Sequence, residues 1–360
     1  MNILNYLAWR NDVPFTLSYF NEVDGLILSE LAYIDYEGMA SHSLIPIKEV
    51  NKNFFLHHDY EDIKKEATFT KRAPLLFKDM CDGERFSIMQ LANYVNEVDE
   101  ETSKQFSAIT FLWDQFIFIA FRGTDQSVVG WKEDFLLSSS SDTESEKAAV
   151  RYINQVGTLY PHKMILVGGH SKGGHLAVYG ATYCDQEIKK RIKRVYSYDG
   201  PGFREDVLHS LAYCDIKSRI IHVIPDMSAI GLMLSYEVEP VVIKSDTLGL
   251  YQHDAFSWQV QKDQFVYTSL SKLSTLFGIG LGNWLEELDD ESRKEMITTI
   301  FSIIEATGKK HFKDMNLINF YEMIKESKKI PPTKRKELLS IMYVLIRNEG
   351  QAMKDVLLMR

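Results

Sequence analysis

Cysteine is scarce in this chain, with only three among 360 residues. Cys81, Cys184 and Cys214 lie far apart and form no Cys-x-x-Cys pair. An odd and scattered set of this kind argues against a disulfide framework and against a zinc site. We therefore expect free thiols in a reducing compartment.

Long hydrophobic runs and a leader-like start are also missing. No stretch approaches the ~20 consecutive apolar residues of a membrane-spanning helix. The opening sequence MNILNYLAWR lacks the basic start, apolar core and small-residue cleavage site of a secretory signal. The sequence thus predicts a cytoplasmic protein.

Positive charge is not in excess either. The formal net charge is −9 and the sequence pI is about 5.6. A surface that binds nucleic acid needs clustered Lys and Arg, so the composition argues against nucleic acid as the main ligand. The His, Asp and Glu residues show no His-x-x-x-His or equivalent spacing, and we predict no metal site.

Apolar residues are plentiful enough for a full core, at 45% of 360 residues. This length predicts one large domain, or one domain with an accessory part. Strand-like and helix-like segments alternate through the middle of the chain, which predicts an α/β fold with a mostly parallel sheet flanked by helices. The predicted strands cover residues 85–98, 105–113, 116–121, 164–167, 194–198 and 219–224.

Helical patterns lie on both sides of this region. Asn21 can cap a first helix, and residues 41–80 also read as helix. Beyond residue 285 the pattern turns helical again, with helices predicted from Asp289 and over residues 317–327 and 334–347. We predict an α/β domain over residues 1–284, with a helical part at about 1–80. A C-terminal helical extension over residues 285–360 packs on the core or serves as an interface.

The most informative motif is Gly169-His170-Ser171-Lys172-Gly173-Gly174. It follows an apolar strand and precedes a helix, so it has the order strand, Gly-x-Ser-x-Gly, helix. The glycines permit a sharp turn that exposes the serine hydroxyl, and the helix N-terminus favours an oxyanion beside it. This layout predicts a nucleophilic serine on an α/β-hydrolase fold.

A serine nucleophile needs a base within hydrogen-bond reach. His175 lies on the helix after the motif, His209 in a helical stretch and His222 inside a strand. His253 lies in a loop before a predicted helix, which is the right place for a base. We predict His253 as the base.

The acid that orients the base has more than one candidate. Asp226 comes just past the carboxyl end of the predicted strand at 219–224, where ligands bind in open α/β sheets. Asp199 ends the preceding strand and is its main competitor. Asp254 is a distant third because it adjoins the base. We favour Asp226, although each aspartate could instead cap a turn.

A tetrahedral intermediate needs two N–H donors. One is the backbone of Lys172, directly after the nucleophile. The other should come from the loop after the apolar strand at 116–121. There Gly123 permits close approach and Thr124 can donate through its backbone.

Taken together these motifs resemble the class 3 lipase family of α/β-hydrolases, and most closely an uncharacterised bacterial branch of intracellular lipase-like proteins. The resemblance covers about residues 1–270. It implies that Ser171 is the nucleophile, Asp226 the acid and His253 the base, with Thr124 and Lys172 as oxyanion donors. It rests on Tyr6-Leu7-Ala8-Trp9-Arg10, Ala120-Phe121-Arg122-Gly123-Thr124, Gly130-Trp131-Lys132-Glu133-Asp134-Phe135, Gly169 to Gly174, Asp226 and His253.

Lys172 departs from the lipase pattern, which usually has an apolar residue after the serine. We expect its side chain to extend along the surface with its charge in water. Alternatively, it pairs with an anionic group of the substrate or perturbs the pKa of the base.

The resemblance implies hydrolysis of a lipid or a short-to-medium acyl ester through an acyl-enzyme, without a cofactor. The apolar segment 227–236 could line an acyl pocket, or simply pack in the core. A thioesterase, amidase or peptidase would use the same residues. A binding scaffold is the alternative of another class. It would use the C-terminal helices, or the basic cluster at 189–194 as a peripheral membrane contact, although a solvated helix end explains such a cluster more simply.

Overall fold

The computed structural model describes residues 1–40, 43–66, 71–99, 101–102, 104–124, 132, 136–137, 142–228, 230–271, 274, 290–305 and 308. Its contacts divide the chain into two compact units. The first comprises residues 1–98, 105–123 and 144–284, and the second comprises residues 99–104, 124–143 and 285–360.

The main structure is an eight-stranded sheet whose strands follow one another in chain order. Strands β1 and β2, and likewise β3 and β4, pair antiparallel, whereas β4 to β8 are all parallel. The carboxyl ends of these parallel strands therefore meet at one edge. The strands are β1 (Ile45–Pro46), β2 (Gln90–Asp99), β3 (Lys104–Trp113), β4 (Phe116–Phe121), β5 (Met164–His170), β6 (Ile192–Tyr198), β7 (Ile220–Pro225) and β8 (Val241–Ile243).

Helices cover both faces of the sheet, because its central strands are apolar on both sides. In β4, Ile117 and Ile119 face one hydrophobic cluster, and Phe118 and Ala120 face the other. The described helices are α1 (Ile3–Arg10), α2 (Glu22–Leu31), α3 (Ile47–His57), α4 (Tyr60–Glu66), α5 (Ala73–Met80), α6 (Glu144–Leu159), α7 (Lys172–Tyr183), α8 (Gln186–Lys189), α9 (Glu205–Leu208), α10 (Leu211–Lys217) and α11 (Asp290–Glu305).

A mostly parallel sheet with flanking helices, and a strand–serine–helix connection between β5 and α7, is an α/β-hydrolase fold. The predicted fold class is confirmed. A small two-stranded sheet is added by β9 (Val260–Gln261) and β10 (Gln264–Phe265). Within the described part of the chain, no helix is long and apolar enough to cross a membrane.

The N-terminal region differs from the sequence prediction in two respects: strand β1 lies within residues 41–80, which the sequence predicts to be helical, and an additional helix is present. The helix expected at Asn21 is α2, and Asn21 and Asp24 form a reciprocal capping box at its start. However, α1 precedes it, with Asn2 capping that helix in the same way. Helix α1 has only eight residues, which is too short to show a clear helical repeat in the sequence.

In the second unit, α11 begins at Asp290, close to the predicted start. Phe301, Ile303 and Ile304 are buried, and Lys132 forms an ion pair with Glu305 at 2.9 Å. The helices predicted at 317–327 and 334–347 lie outside the described residues. The division at residue 285 and the packing of the extension on the core stay predictions.

Candidate active site

Ser171 lies on a strained turn between β5 and α7. Its φ of 57° and ψ of −132° lie outside the regions that L-residues prefer. The surroundings hold this conformation: the Ser171 N–H donates to the carbonyl of Tyr198 at 2.9 Å, and helix α7 starts at the next residue. Strain of this kind is retained at functional sites, where the surrounding structure holds a side chain in a fixed position.

The glycines of the motif are required by close backbone approach. A Cβ on Gly173 would lie 2.1 Å from the carbonyl oxygen of Phe121, and one on Gly169 would lie 2.2 Å from the carbonyl carbon of Gly173. Gly123 is equally confined, because its Cβ would lie 2.6 Å from the His170 oxygen and 3.0 Å from the Ser171 Cβ. The end of β4 therefore packs directly on the serine turn.

His253 lies where the sequence predicted a base. It ends a short 3-10 turn, Gly249–His253, and its ring is partly buried. The Ser171 hydroxyl is 2.9 Å from His253 Nε2, which places it as the donor to that nitrogen. Serine and histidine are thus within the distance that proton transfer needs.

The prediction that Asp226 is the acid beside His253 is wrong. The other ring nitrogen of His253, Nδ1, donates to Asp199 Oδ2 at 2.6 Å. Asp226 instead accepts a hydrogen bond from Gln252 Nε2 at 2.8 Å, and its own N–H donates to Ile243 of β8.

Strand order explains this correction. His170 of β5 pairs with Tyr198 of β6, so the residue after β6 lies beside the residue after β5. Strand β7, which leads to Asp226, is one strand further from the serine. Asp199 also has a positive φ of 49°, a left-handed turn at the end of its strand. Asp254, the third candidate, pairs with Arg72 at 2.7 Å.

The Asp199 carboxylate is held by residues that sequence analysis did not single out. Its Oδ1 accepts hydrogen bonds from the Ser228 hydroxyl and from the Gly231 N–H at 3.1 Å. Burial alone would raise the pKa of Asp199, but the hydrogen bond and charge of His253 and the bond from Ser228 hold that pKa below its usual value. A buried carboxylate is thereby kept ionised. Ser228 and Gly231 lie in the apolar segment 227–236, whose sequence gave no sign of this role.

The expectation for the Lys172 side chain is also wrong. Lys172 is 1% exposed, and its ammonium donates to the backbone carbonyl of Gln105 at 2.9 Å. The Ser145 hydroxyl donates to the same carbonyl. The ammonium group of Lys172 thus binds the backbone of β3 inside the protein rather than reaching solvent.

The candidate oxyanion donors remain a prediction. Lys172 is the first residue of α7, so its N–H lies at the positive end of the helix. Thr124 is 7% exposed and directly follows Gly123. Their joint action on an oxyanion stays part of the proposal below.

His170 connects the serine turn to the base. Its Nε2 donates to the backbone carbonyl of His253 at 2.9 Å. Burial, with the neighbouring His253 as a second cause, lowers the pKa of His170 to about 3. The ring is therefore neutral near pH 7.

The basic cluster at 189–194 is only partly on the surface. Lys189 is 3% exposed, and the Arg191 guanidinium donates to the carbonyls of Tyr160 and Lys163 at the end of α6. The interpretation as a solvated helix end is thus wrong for Lys189. In the part of the chain that is described, no three His, Cys, Asp or Glu side chains are grouped as metal ligands.

A family model described as Mbeg1-like matches residues 80–302. No curated protein sequence matches the chain.

Solved structures of fungal lipases are similar at low identity. Lip2 lipase from Yarrowia lipolytica is 11% identical with a TM-score of 0.36, covering 58% of this chain and 80% of that one. The Rhizomucor miehei lipase–propeptide complex is 12% identical with a TM-score of 0.38, covering 70% and 81%. The lipase from Rhizopus microsporus var. chinensis is 12% identical with a TM-score of 0.34, covering 69% and 88%. Because the family model spans more than half of the chain, this protein belongs to the Mbeg1-like family.

Proposed function

We propose that this protein is a serine hydrolase that cleaves a carboxylic ester, a lipid or a short-to-medium acyl ester, through an acyl-enzyme. One observation carries the proposal: Ser171 Oγ is 2.9 Å from His253 Nε2, and His253 Nδ1 is 2.6 Å from Asp199. These contacts join nucleophile, base and acid, and the nucleophile lies on a strained turn at a helix N-terminus.

In the acylation step, Ser171 Oγ attacks the ester carbonyl carbon while its proton passes to His253 Nε2. Asp199 stabilises the imidazolium that forms. The tetrahedral oxyanion accepts hydrogen bonds from the backbone N–H groups of Lys172 and Thr124. The C–O bond then breaks, and the leaving alcohol takes the proton from His253.

Deacylation repeats these steps with water as the nucleophile. His253 takes a proton from water as the water oxygen attacks the acyl carbon. It then returns the proton to Ser171 Oγ as the acid product leaves. The cycle uses only groups of this chain and needs no cofactor.

The nature of the acyl group is suggested by the segment that holds Asp199. Leu232, Met233 and Leu234 follow Gly231 directly and are half-buried. Their apolar side chains suit an acyl chain better than a charged one. We further propose that the protein is a cytoplasmic relative of the class 3 lipases from their bacterial branch, and that its substrate is a small acyl ester or a lipid.

Turnover of matched substrates tests the proposal. Wild-type protein and Ser171→Ala are assayed on esters, thioesters and amides with short, medium and long acyl chains. We expect ester hydrolysis by the wild type and none by the variant. Ester hydrolysis that survives Ser171→Ala overturns the assignment of the nucleophile. Preference for thioesters or amides would redirect the substrate class.

A further inference from the structure

A buried carboxyl group lies behind the base and has no part in the steps above. Glu30 of α2 is 3% exposed, and its Oε1 has no hydrogen-bond partner among the described residues. This oxygen lies 3.3 Å from Nδ1 of His170. The hydroxyl of Tyr33 is also 3.3 Å from that nitrogen.

The hydrogen-bond partners around Glu30 and His170 restrict the protonation states that these two side chains can adopt. His170 Nε2 faces the backbone carbonyl of His253, which can only accept, so Nε2 carries a proton. A neutral His170 then presents a lone pair at Nδ1. An ionised Glu30 can only accept hydrogen bonds, so its Oε1 would face the Nδ1 lone pair with no proton between the two acceptors. A protonated Glu30 would instead donate to it in place of the Tyr33 hydroxyl, and the orphaned oxygen would gain a partner.

The charges around Glu30 favour the protonated carboxyl. Burial, followed by the negative charge of Asp254, raises the pKa of Glu30 well above its usual value. Asp254 itself is paired with Arg72 at 2.7 Å. Burial and the neighbouring His253 lower the pKa of His170 and keep it neutral, while Asp199 acts in the opposite direction. Tyr33 also faces the pair, with its hydroxyl at Nδ1 of His170.

We propose that Glu30 is a positioning residue: its protonated carboxyl donates to His170, which thereby holds the backbone of His253 in line with Ser171. The effect on catalysis rests on the proposed hydrolase function, since it acts through the base. Neutral forms of Glu30 and His170 also suit this position, because the ring of His170 lies 4.7 Å from the ring of His253. When His253 takes the serine proton, a second cation so close would oppose it.

Three variants separate this role from simple packing. Glu30→Gln keeps the size and a neutral donor, Glu30→Leu removes the donor, and Tyr33→Phe removes the competing hydroxyl. The readout is the rate of labelling by a fluorophosphonate probe across pH, with folding checked by circular dichroism. We expect Glu30→Gln and Tyr33→Phe to label close to the wild-type rate. Glu30→Leu should label at least about tenfold more slowly, because a displaced base is costly.

Two outcomes overturn the role. If Tyr33→Phe slows labelling and Glu30→Leu does not, the tyrosine is the donor. If Glu30→Gln lowers the pKa of the labelling profile, Glu30 is ionised in the wild type and acts by charge.

A second measurement stands even if the protein proves not to be a hydrolase. The side-chain carboxyl carbon of Glu30 is followed by NMR in ¹³C-labelled protein and is assigned by its loss in Glu30→Gln. We expect a chemical shift typical of a protonated acid that stays constant around neutral pH. An ionised shift at neutral pH refutes the proposal independently of any activity.

Discussion

At the scale of single residues, the site depends on how one carboxylate is kept charged in a buried place. Asp199 is fully buried, yet its two oxygens accept hydrogen bonds from His253, Ser228 and the Gly231 N–H. Donors aimed at a carboxylate lower its pKa and offset the cost of burial. Ser228 is therefore as much a part of this arrangement as the charged residues.

We expect Ser228→Ala to slow labelling of Ser171 about tenfold, since a hydrogen bond to a charged group contributes roughly 1.5–3 kcal/mol. Loss of this donor lets the pKa of Asp199 rise. The carboxylate then becomes protonated at a higher pH, and labelling should fail earlier on acidification. Ser210→Ala, which removes the cap of α10, is the control and should leave the pH profile unchanged. An unaltered profile in Ser228→Ala would contradict this account of Asp199.

For Lys172 we expect a change in stability without a loss of labelling, because only its backbone N–H has a role in the proposed reaction. Its ammonium binds the carbonyl of Gln105, which the Ser145 hydroxyl also reaches. We expect Lys172→Met to lower the free energy of unfolding by about 1 kcal/mol. Labelling should stay near the wild-type rate. Abolished labelling in a folded Lys172→Met protein would show that the cation itself acts at the site.

At the scale of elements, the turn between β5 and α7 packs against the end of β4 without room for a side chain. We expect Gly173→Ala to lower the free energy of unfolding by about 3 kcal/mol, at the upper end of overpacking costs. The reason is that its Cβ would meet the Phe121 carbonyl oxygen at 2.1 Å. Denaturant unfolding measures the effect.

Gly180→Ala in the same helix is the matched control for that variant. The nearest atom to its Cβ is Ile153 Cδ1 at 2.8 Å, the far end of a flexible side chain. Alanine also favours helix over glycine by about 1 kcal/mol. Gly180→Ala should therefore cost much less, and equal costs would contradict the packing argument.

The sequence predicts those features of the site that neighbouring residues determine, and not those that depend on distant parts of the fold. The serine turn is encoded in six consecutive residues, and His253 stood out because the sequence pattern predicts His175 and His209 on helices and His222 inside a strand. The acid depends on which strand end lies beside β5, which is a property of the whole sheet. Asp199 and Asp226 both follow strands, so local pattern could not separate them. The burial of Lys172 depends in the same way on β3, far away in the chain.

At the scale of the whole molecule, helix α2 links the N-terminal region to the back of the site. It brings Glu30 against His170 while its other residues pack in the core. A carboxyl group that stays protonated when folded but ionises when unfolded makes stability depend on pH. With the pKa of Glu30 raised, its contribution is fully present below the ordinary value and is lost as pH rises.

We therefore expect Glu30→Gln to become more stable relative to wild type as the pH rises from about 4 to about 8. Near the lower limit the two proteins should unfold at similar temperatures, because glutamate is then protonated in both states. Thermal unfolding at a series of pH values measures the difference. A constant difference across this range would mean that Glu30 titrates alike in the folded and unfolded chains.

The central claim is that Ser171 is activated by His253 and Asp199. The most direct measurement is fluorophosphonate labelling, mapped to its peptide by mass spectrometry, in wild type, Asp199→Asn and Asp226→Asn. We predict an adduct on Ser171 in wild type and Asp226→Asn, and a rate about 10³–10⁴-fold lower in Asp199→Asn, as the loss of a triad acid causes elsewhere. No adduct on Ser171 in folded wild type, or loss of labelling in Asp226→Asn rather than Asp199→Asn, would contradict it.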